Sequence, residues 1–541
     1  MDSISKSNDV HRSGVPSYCR QLLFLVAAVT SLSGCAAVPG GSLGDWWHNG
    51  FKVGPNYAPP PVPVADEWID YHDPRLQSGE AQLCNWWQVF GDPTLDTLAQ
   101  MSYQQNLTLR TAGARILEAR AVRGVAAGNL FPQVQEGFAG VDRIKVSQTT
   151  ALPVGAAWFS NWDAGFGASW ELDFWGRYRR SIEAADSSLD ASVEDYDDVL
   201  VILLSDVASN YIQYRAFEER IAYARHNVEI QTKAYELTTA RFEAGKVAEV
   251  DTHQARQVLE QTSSIIPVLE TGKRQASNRL CVLLGMPPSN LESLLGTSGR
   301  LPETPKDVMV GVPADLLRQR PDVRRAERHL AAQSARIGVA VSDLYPHITL
   351  LGTIGVQAEH LDDLFDMPAS MIGSVGPGVR WDLLNYGRLL NNIDVQDARF
   401  QELAYAYQDR VLNAGREVED GMIAFLNTQQ QAENLNASVE AAARTVEITT
   451  DAYEKGATNY VSLYLFQSVL AQQQDLLAAT RGEIALSLIQ VYRSLGGGWQ
   501  IRLAQDAYYD VPPFDAANVD GFPVEGVPLP ERLAAPEGTT D

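Results

Sequence analysis

The sequence predicts an α+β membrane protein made of two copies of one unit, with four transmembrane β-strands and long coiled-coil helices in each chain. Three observations carry this. The string ASWELDFWGR (168–177) returns as VRWDLLNYGR (379–388), 211 residues on. Residues around both strings alternate apolar and polar with the period of a strand. After the first string, 177–244 contains neither Gly nor Pro, which permits one unbroken helix of roughly 100 Å at 1.5 Å per residue. A helix of that length does not fit inside a compact domain.

The chain opens with an export signal over 1–34. Arg12 and Arg20 precede the apolar stretch LLFLVAAVTSLSG, which is too short to span a bilayer as a helix. Leu32-Ser33-Gly34-Cys35 has the form of a bacterial lipobox. Its small residues expose the backbone to a peptidase, and the Cys35 thiol would take the lipid. Ala36, rather than Asp, favours sorting to the outer membrane. A lipidated tether then spans 35–84.

The first repeat is read over 85–290 and the second over 314–498, joined through a Pro- and Gly-containing segment and followed by an irregular tail, 499–541. Each opens with a helical pattern, 92–127 and 314–341. Two alternating segments follow in each. In 158–174 the even positions include Trp158, Trp162, Phe166, Trp170, Leu172 and Phe174, while the odd ones include Asp163, Ser169 and Glu171. The segment 131–147 is less regular. In the second copy Ile348, Leu350, Ile354 and Val356 alternate, as do Val375, Val379, Trp381 and Leu383.

The long helices come next. Leu200, Leu203, Val207, Tyr211 and Tyr214 form a coiled-coil seam, and Val418, Met422 and Phe425 sit on the matching stripe of 388–455. Gly415 and Gly421 read as soft points there. Gly245 and Gly456, also 211 apart, should end these helices. Return helices are expected over 247–284 and 459–495, with Pro267 predicting a kink or break in the first. Upstream of the hairpins the offset is 214, as NLFPQV (129–134) against DLYPHI (343–348) shows.

A net charge of −24 argues against a nucleic-acid partner, because phosphate binding needs a basic surface. No H-E-x-x-H pair or cysteine cluster at zinc spacing occurs, so no metal or cofactor is expected. The G-x-S-x-G match at 40–44 lies in a small-residue tether without a preceding strand, and is not read as a nucleophile. Cys84 and Cys281 are read as unpaired, Cys281 as a core residue. Arg324, Arg325 and Arg328 are read as an exposed helical face with charged partners nearby.

An apolar strand face beside 100 Å helices in an exported chain points to lipid around Trp158, Trp162 and Phe166, and to water around Asp163, Ser169 and Glu171. An open sheet leaves backbone groups unpaired at its edges, which hydrocarbon does not allow. Four strands are too few to close a barrel, so the wall must be shared: two chains give eight strands and three give twelve. Trp170 and Trp381 are then interfacial aromatics. Gly176-Arg177 and Gly387-Arg388 mark the two strand-to-helix junctions.

The order and double occurrence of WWQVFGDPTLDTL (86–98), NLFPQV, WELDFWGR, RPDVRRAE (320–327), LYPHI and WDLLNYGR resemble the TolC-like outer membrane efflux proteins, in their OprM-like lipoprotein branch. The resemblance covers about 85–500. It implies a homotrimer with a twelve-stranded barrel in outer membrane lipid and a periplasmic α-barrel. It also implies a periplasmic adaptor, an inner-membrane pump of the resistance-nodulation-division type, passive conduction and no enzymatic activity. The Gly245 and Gly456 turns would form the adaptor-docking tip. Val461, Ser462 and Leu465 would line the periplasmic gate, and Asp251 would help to hold the neighbouring coil. Many relatives carry an aspartate nine residues after the second Gly; here that residue is Leu465, followed by Phe466. The departure predicts a collar that closes by dewetting and binds multivalent cations weakly. Two rivals are a lipid-anchored adaptor, which needs β-rich lipoyl segments, and a lipid-anchored enzyme, which needs a catalytic cluster; neither feature is found.

Overall fold

Asn106 divides the first opening helix in two, and Arg320 does the same for the second. In the computed structural model, which describes residues 43–506 except 78–82, 148, 150–157, 297–298, 312 and 368, the order begins with α1 (Pro93–Gln105), α2 (Leu107–Gly128), β1 (Val134–Lys145), β2 (Trp158–Glu171), α3 (Arg177–Glu243) and α4 (Glu249–Leu283). The second copy follows as α5 (Pro321–Ser342), β3 (His347–Ala358), β4 (Met371–Arg380), α6 (Arg388–Glu454) and α7 (Tyr460–Ser494). The export signal, Cys35 and all of the tail beyond Asp506 lie outside the described residues.

The two breaks have local causes. Asn106 is extended at ψ 126°, and its Oδ1 accepts from Leu109 N, so it caps a new helix in the middle of the pattern. Arg320 precedes Pro321 and is extended at ψ 126°, because the proline ring disfavours a helical residue before it. A short helix of 7 residues, Pro313–Gln319, precedes it.

Neither Pro267 nor the two glycines of the second long helix ends the helix that holds it. α4 runs through Pro267, and Thr271 Oγ1 donates to the Pro267 carbonyl. α6 runs through Gly415 and Gly421. Both long helices are 67 residues, about 100 Å. No described helix is long and apolar enough to cross a membrane.

The four long strands form one antiparallel sheet in the order β1-β2-β3-β4. The copies meet at β2–β3, where Phe166 lies opposite Ile354 and Trp170 opposite Leu350. One face therefore carries Val141, Trp162, Phe166, Ile354, Val375 and Val379. The other carries Glu136, Asp163, Ser169, Thr353 and Ser374, but a row Phe138-Gly165-Gly355-Ile372 crosses it, so this face is not uniformly polar. The expected strand through Leu383 ends at Arg380, opposite His347. Pro346 precedes His347 and has no N–H with which to continue the ladder, so Trp381 and Leu383 lie beyond the sheet. Likewise β2 stops at Glu171, short of Leu172 and Phe174.

Midway along the helices sits the main core. Met422 and Phe425 of α6 meet Leu204, Val207 and Tyr211 of α3 and Leu488 of α7. Trp86, on the short helix Trp86–Phe90, stacks on Tyr492 at 5.3 Å. Side chains this deeply buried stabilise by about 1.5–3 kcal/mol each. Cys281 is buried in the same core and Cys84 is half-buried; both are free.

The tether is part of the fold. Val53 packs with Ile337 and Val341 of α5 and Ile393 of α6, and its N–H donates to Trp175 O at 3.0 Å. Gly54 lies so close to α5 that a Cβ there would sit 2.4 Å from Gly338 Cα.

Candidate functional site

At the helical tip, both turns make the same pair of hydrogen bonds. Gly245 N donates to Phe242 O and Lys246 N to Arg241 O; Gly456 N donates to Tyr453 O and Ala457 N to Ala452 O, all at 2.8–2.9 Å. This pairing satisfies helix-end carbonyls and requires a left-handed residue, met by φ +69° at Gly245 and +74° at Gly456.

Beneath the turns the two copies are locked together. Arg241 at the end of α3 donates to Tyr453 O and Glu454 O, both at 2.7 Å, at the end of α6. Its guanidinium also lies 4.6 Å from the Tyr453 ring. A cation on these carbonyls matches the negative end of the helix dipole. Tyr453 in turn contacts Thr238 Oγ1 at 3.1 Å and stands edge-on to Tyr460 at 5.6 Å. Burial, followed by Tyr453, Tyr464 and Asp251, pushes the Tyr460 phenol above its usual range, so it remains a neutral donor. Asp251 is close enough to Tyr460 to contribute to that shift.

Of the predicted gate residues, Val461 and Leu465 are solvent-facing on α7, one turn apart, with Phe466 and Val469 continuing the apolar strip. Ser462 differs: its N–H and Oγ–H both donate to Asn459 Oδ1, so its hydroxyl belongs to the helix cap rather than to that strip. Asn459 caps α7 where the first copy has Ala248 and no side-chain cap. Arg241 and Tyr453 were not singled out by sequence. The available signal was the break in the repeat, since Arg241 stands opposite Ala452 beside two otherwise matching turns.

The strand-to-helix junctions repeat as well. Trp170 Nε1 donates to Leu130 O at 3.1 Å, and Trp381 Nε1 donates to Leu344 O at 2.9 Å. Each indole thus ties the outgoing strand end to the chain leaving the opening helix. Arg177 pairs with Glu171 at 3.4 Å and Arg388 with Asp382 at 3.5 Å. Gly176 and Gly387 precede the long helices at φ +82° and +80°. The second junction is tied locally by Asn385, whose Oδ1 accepts from Gly387 N at 3.1 Å, while the first is tied to further elements. Asp173 accepts from Tyr178 N and Arg179 N, His347 Nδ1 meets Glu171 at 2.7 Å, and Arg177 reaches Asp343.

The arginines of RPDVRR are less exposed than expected and form the α3–α5 seam. Arg324 bonds Glu194, and Arg325 bonds Asp195 and Asp198. Arg320 and Asp322 are buried: Arg320 donates to Ser494 O and Glu417, and Asp322 also pairs with Arg410 at 2.7 Å. Among the described residues, no group of three or more His, Cys, Asp or Glu side chains could hold a metal ion.

The family model for outer membrane efflux protein matches residues 98–286 and 312–497. The chain belongs to the outer membrane efflux protein family. It is an outer membrane efflux channel with the TolC-like fold. Nodulation protein T of Rhizobium leguminosarum bv. trifolii is 30% identical over 456 residues, covering 83% of this chain and 95% of that protein. The pyoverdine export outer membrane protein OpmQ of Pseudomonas aeruginosa is 30% identical over 437 residues, with 78% and 89% covered. Among solved structures, the outer-membrane channel OprN superposes with a TM-score of 0.78 at 31% identity, covering 83% of this chain and 99% of that one. These relatives are named for export, a channel or nodulation, and none for an enzymatic reaction.

Proposed function

We propose that three copies of this chain close a continuous duct, with a twelve-stranded barrel in the outer membrane above a tunnel of α3, α4, α6 and α7. In this reading the duct passively passes small molecules delivered by an inner-membrane pump, of the resistance-nodulation-division type, through a periplasmic adaptor docked at the Gly245 and Gly456 turns. One observation carries the assembly: β1 and β4 are outer strands of a four-stranded sheet, with backbone edges open, which is untenable in lipid until neighbours pair them.

The internal repeat suggests how neighbours meet. Within the chain α5 packs against both long helices, whereas α2 packs on α3 and exposes Leu117, Val122 and Val125. Trp175 stacks on Tyr345 at 4.5 Å. Their repeat counterparts, Tyr386 and Phe131, are 96% and 65% exposed. Applying the same relationship between chains sets Tyr386 against Phe131 of the next copy, and α6 against its α2.

At the tip, three copies of Val461 and Leu465 form an apolar constriction, with Asp251 and Tyr460 supporting it from the side. Upstream, cleavage after residue 34 and lipidation of Cys35 anchor the tether, and 85–290 and 314–498 are the two repeats.

A chain carrying Phe131→Cys and Tyr386→Cys in a Cys84→Ser background, treated with a short bifunctional maleimide in isolated outer membranes, tests the assembly. A ladder ending at three chains is expected from the double variant and not from either single one. Ladder formation by neither, or fractionation away from the outer membrane, overturns it.

A further inference from the structure

We propose that Trp47 and Phe51 form a second membrane contact, an aromatic foot seated at the headgroup–acyl boundary of the periplasmic leaflet of the outer membrane. The inference rests on the reading of β1–β4 as barrel strands in that membrane.

The foot is a built feature. The short helix Leu43–His48 docks through Trp46, whose ring lies 5.2 Å from Phe174 and 5.5 Å from Trp175 at the first junction. Phe51 then folds back so that its ring stands edge-on to both Trp46 and Trp47, at 4.8 and 4.9 Å. To do so it adopts φ +62°, a conformation that costs a non-glycine residue roughly 1–2 kcal/mol. The strain is held from outside: Arg179 donates to Gly50 O and Phe51 O, and Arg180 to Val53 O. A strained aromatic that neighbours over-determine invites a functional reading.

Its position points to lipid. Leu172 and Phe174 continue the even, apolar series of β2 just past the sheet, and both are exposed. Phe174 touches Trp46, so the apolar strand face runs without interruption onto the foot. Trp46 supplies the attachment while Trp47, 64% exposed, is presented outward. Tryptophan is the side chain that favours this boundary, having an apolar body and a polar edge. Leu43 is eight positions after Cys35, a link of at most about 30 Å. An acyl chain on Cys35 and the foot can therefore enter the same leaflet, giving the two signals that stable anchoring needs.

The test uses the full chain in liposomes, with a bimane on Trp47→Cys in a Cys84→Ser background; Cys281 is buried and unreactive. Two further labels calibrate it: Phe166→Cys in the middle of β2, and His253→Cys at the tip. A nitroxide near the lipid headgroup should strongly reduce the fluorescence at 47, where aqueous iodide should have little effect. Iodide alone should quench 253, and a nitroxide deep in the acyl chains should quench 166. Iodide access at 47 equal to that at 253 places the foot in water and overturns the proposal. Shielding of 47 from both quenchers means that a neighbouring chain covers it, which overturns it equally. Failure of lipid quenching at 166 removes the barrel reading beneath it.

Discussion

Arg241 is hydrogen-bonded to Tyr453 across the boundary between the two repeats, carrying one guanidinium onto the last carbonyls of a helix it does not belong to. Its second bond, to Glu454 O, makes the grip two-pronged. Few other side-chain contacts hold the ends of α3 and α6 together so directly.

Replacing Arg241 with Ala should loosen the tip. Each lost bond to a charged donor is worth roughly 1.5–3 kcal/mol, and 1.4 kcal/mol is already tenfold in an equilibrium. Single-channel recording in planar bilayers should show higher conductance or longer openings, with Arg241→Lys intermediate. Unchanged conductance would mean that the grip plays no part in closure.

Leu465→Asp should convert the apolar strip into an acidic collar. Three carboxylates facing one axis attract multivalent cations, so block from the periplasmic side should tighten well beyond that of the natural chain. Equal block in both would show that residue 465 does not line the passage.

The junction glycines should respond unequally to alanine. Gly176→Ala meets the left-handed penalty of roughly 1–2 kcal/mol, and its Cβ would also lie 2.7–2.8 Å from Lys52 atoms. Gly387→Ala meets only the conformational term, its nearest neighbour being Asn391 Nδ2 at 3.5 Å. Thermal unfolding in detergent should fall further for Gly176→Ala; equal losses would contradict the tether contact.

Asp322→Asn should destabilise by about 1.5–3 kcal/mol, because it removes the carboxylate that pairs with Arg410 and leaves the buried Arg320 with Glu417 alone. Burial pushes the Asp322 carboxyl up, but bonds and charge from Arg320 and Arg410 outweigh it and hold it below the ordinary range. A depressed carboxyl stabilises the fold at pH above its unfolded value, and that contribution disappears as pH falls through the folded one. The gap between the two chains should hold from neutrality to about pH 4 and close below it, as read by melting temperature. A constant gap down to pH 2 would refute the assignment.

The repeat was legible wherever side-chain period decides structure. The long helices announced themselves by an apolar seam without breakers, and the turns by glycine at fixed offset. β4 was overextended because Trp381 and Leu383 keep the alternation after Pro346 has removed the backbone partner, and alternation does not reveal a missing N–H. Pro267 predicts a kink or break, and α4, packed against α3, continues through it without a break. Ser462 follows from position alone, and its bond to Asn459 is not legible in the repeat, where the first copy has Ala248 at the cap. Arg241 is not legible from the repeat, because Ala452 stands at the matching place, and the bonds that Asp173 makes have no counterpart at Leu384.

The contact of Gly54 with Gly338 sets an order of events. The groove receiving Val53 and Gly54 is assembled from α3, α5 and α6, hundreds of residues downstream. Trp175 and Arg180 of the first copy hold one side of the segment, but Val53 is buried only where α5 and α6 of the second copy complete the groove. The segment's arrival there is the latch that certifies a finished protomer.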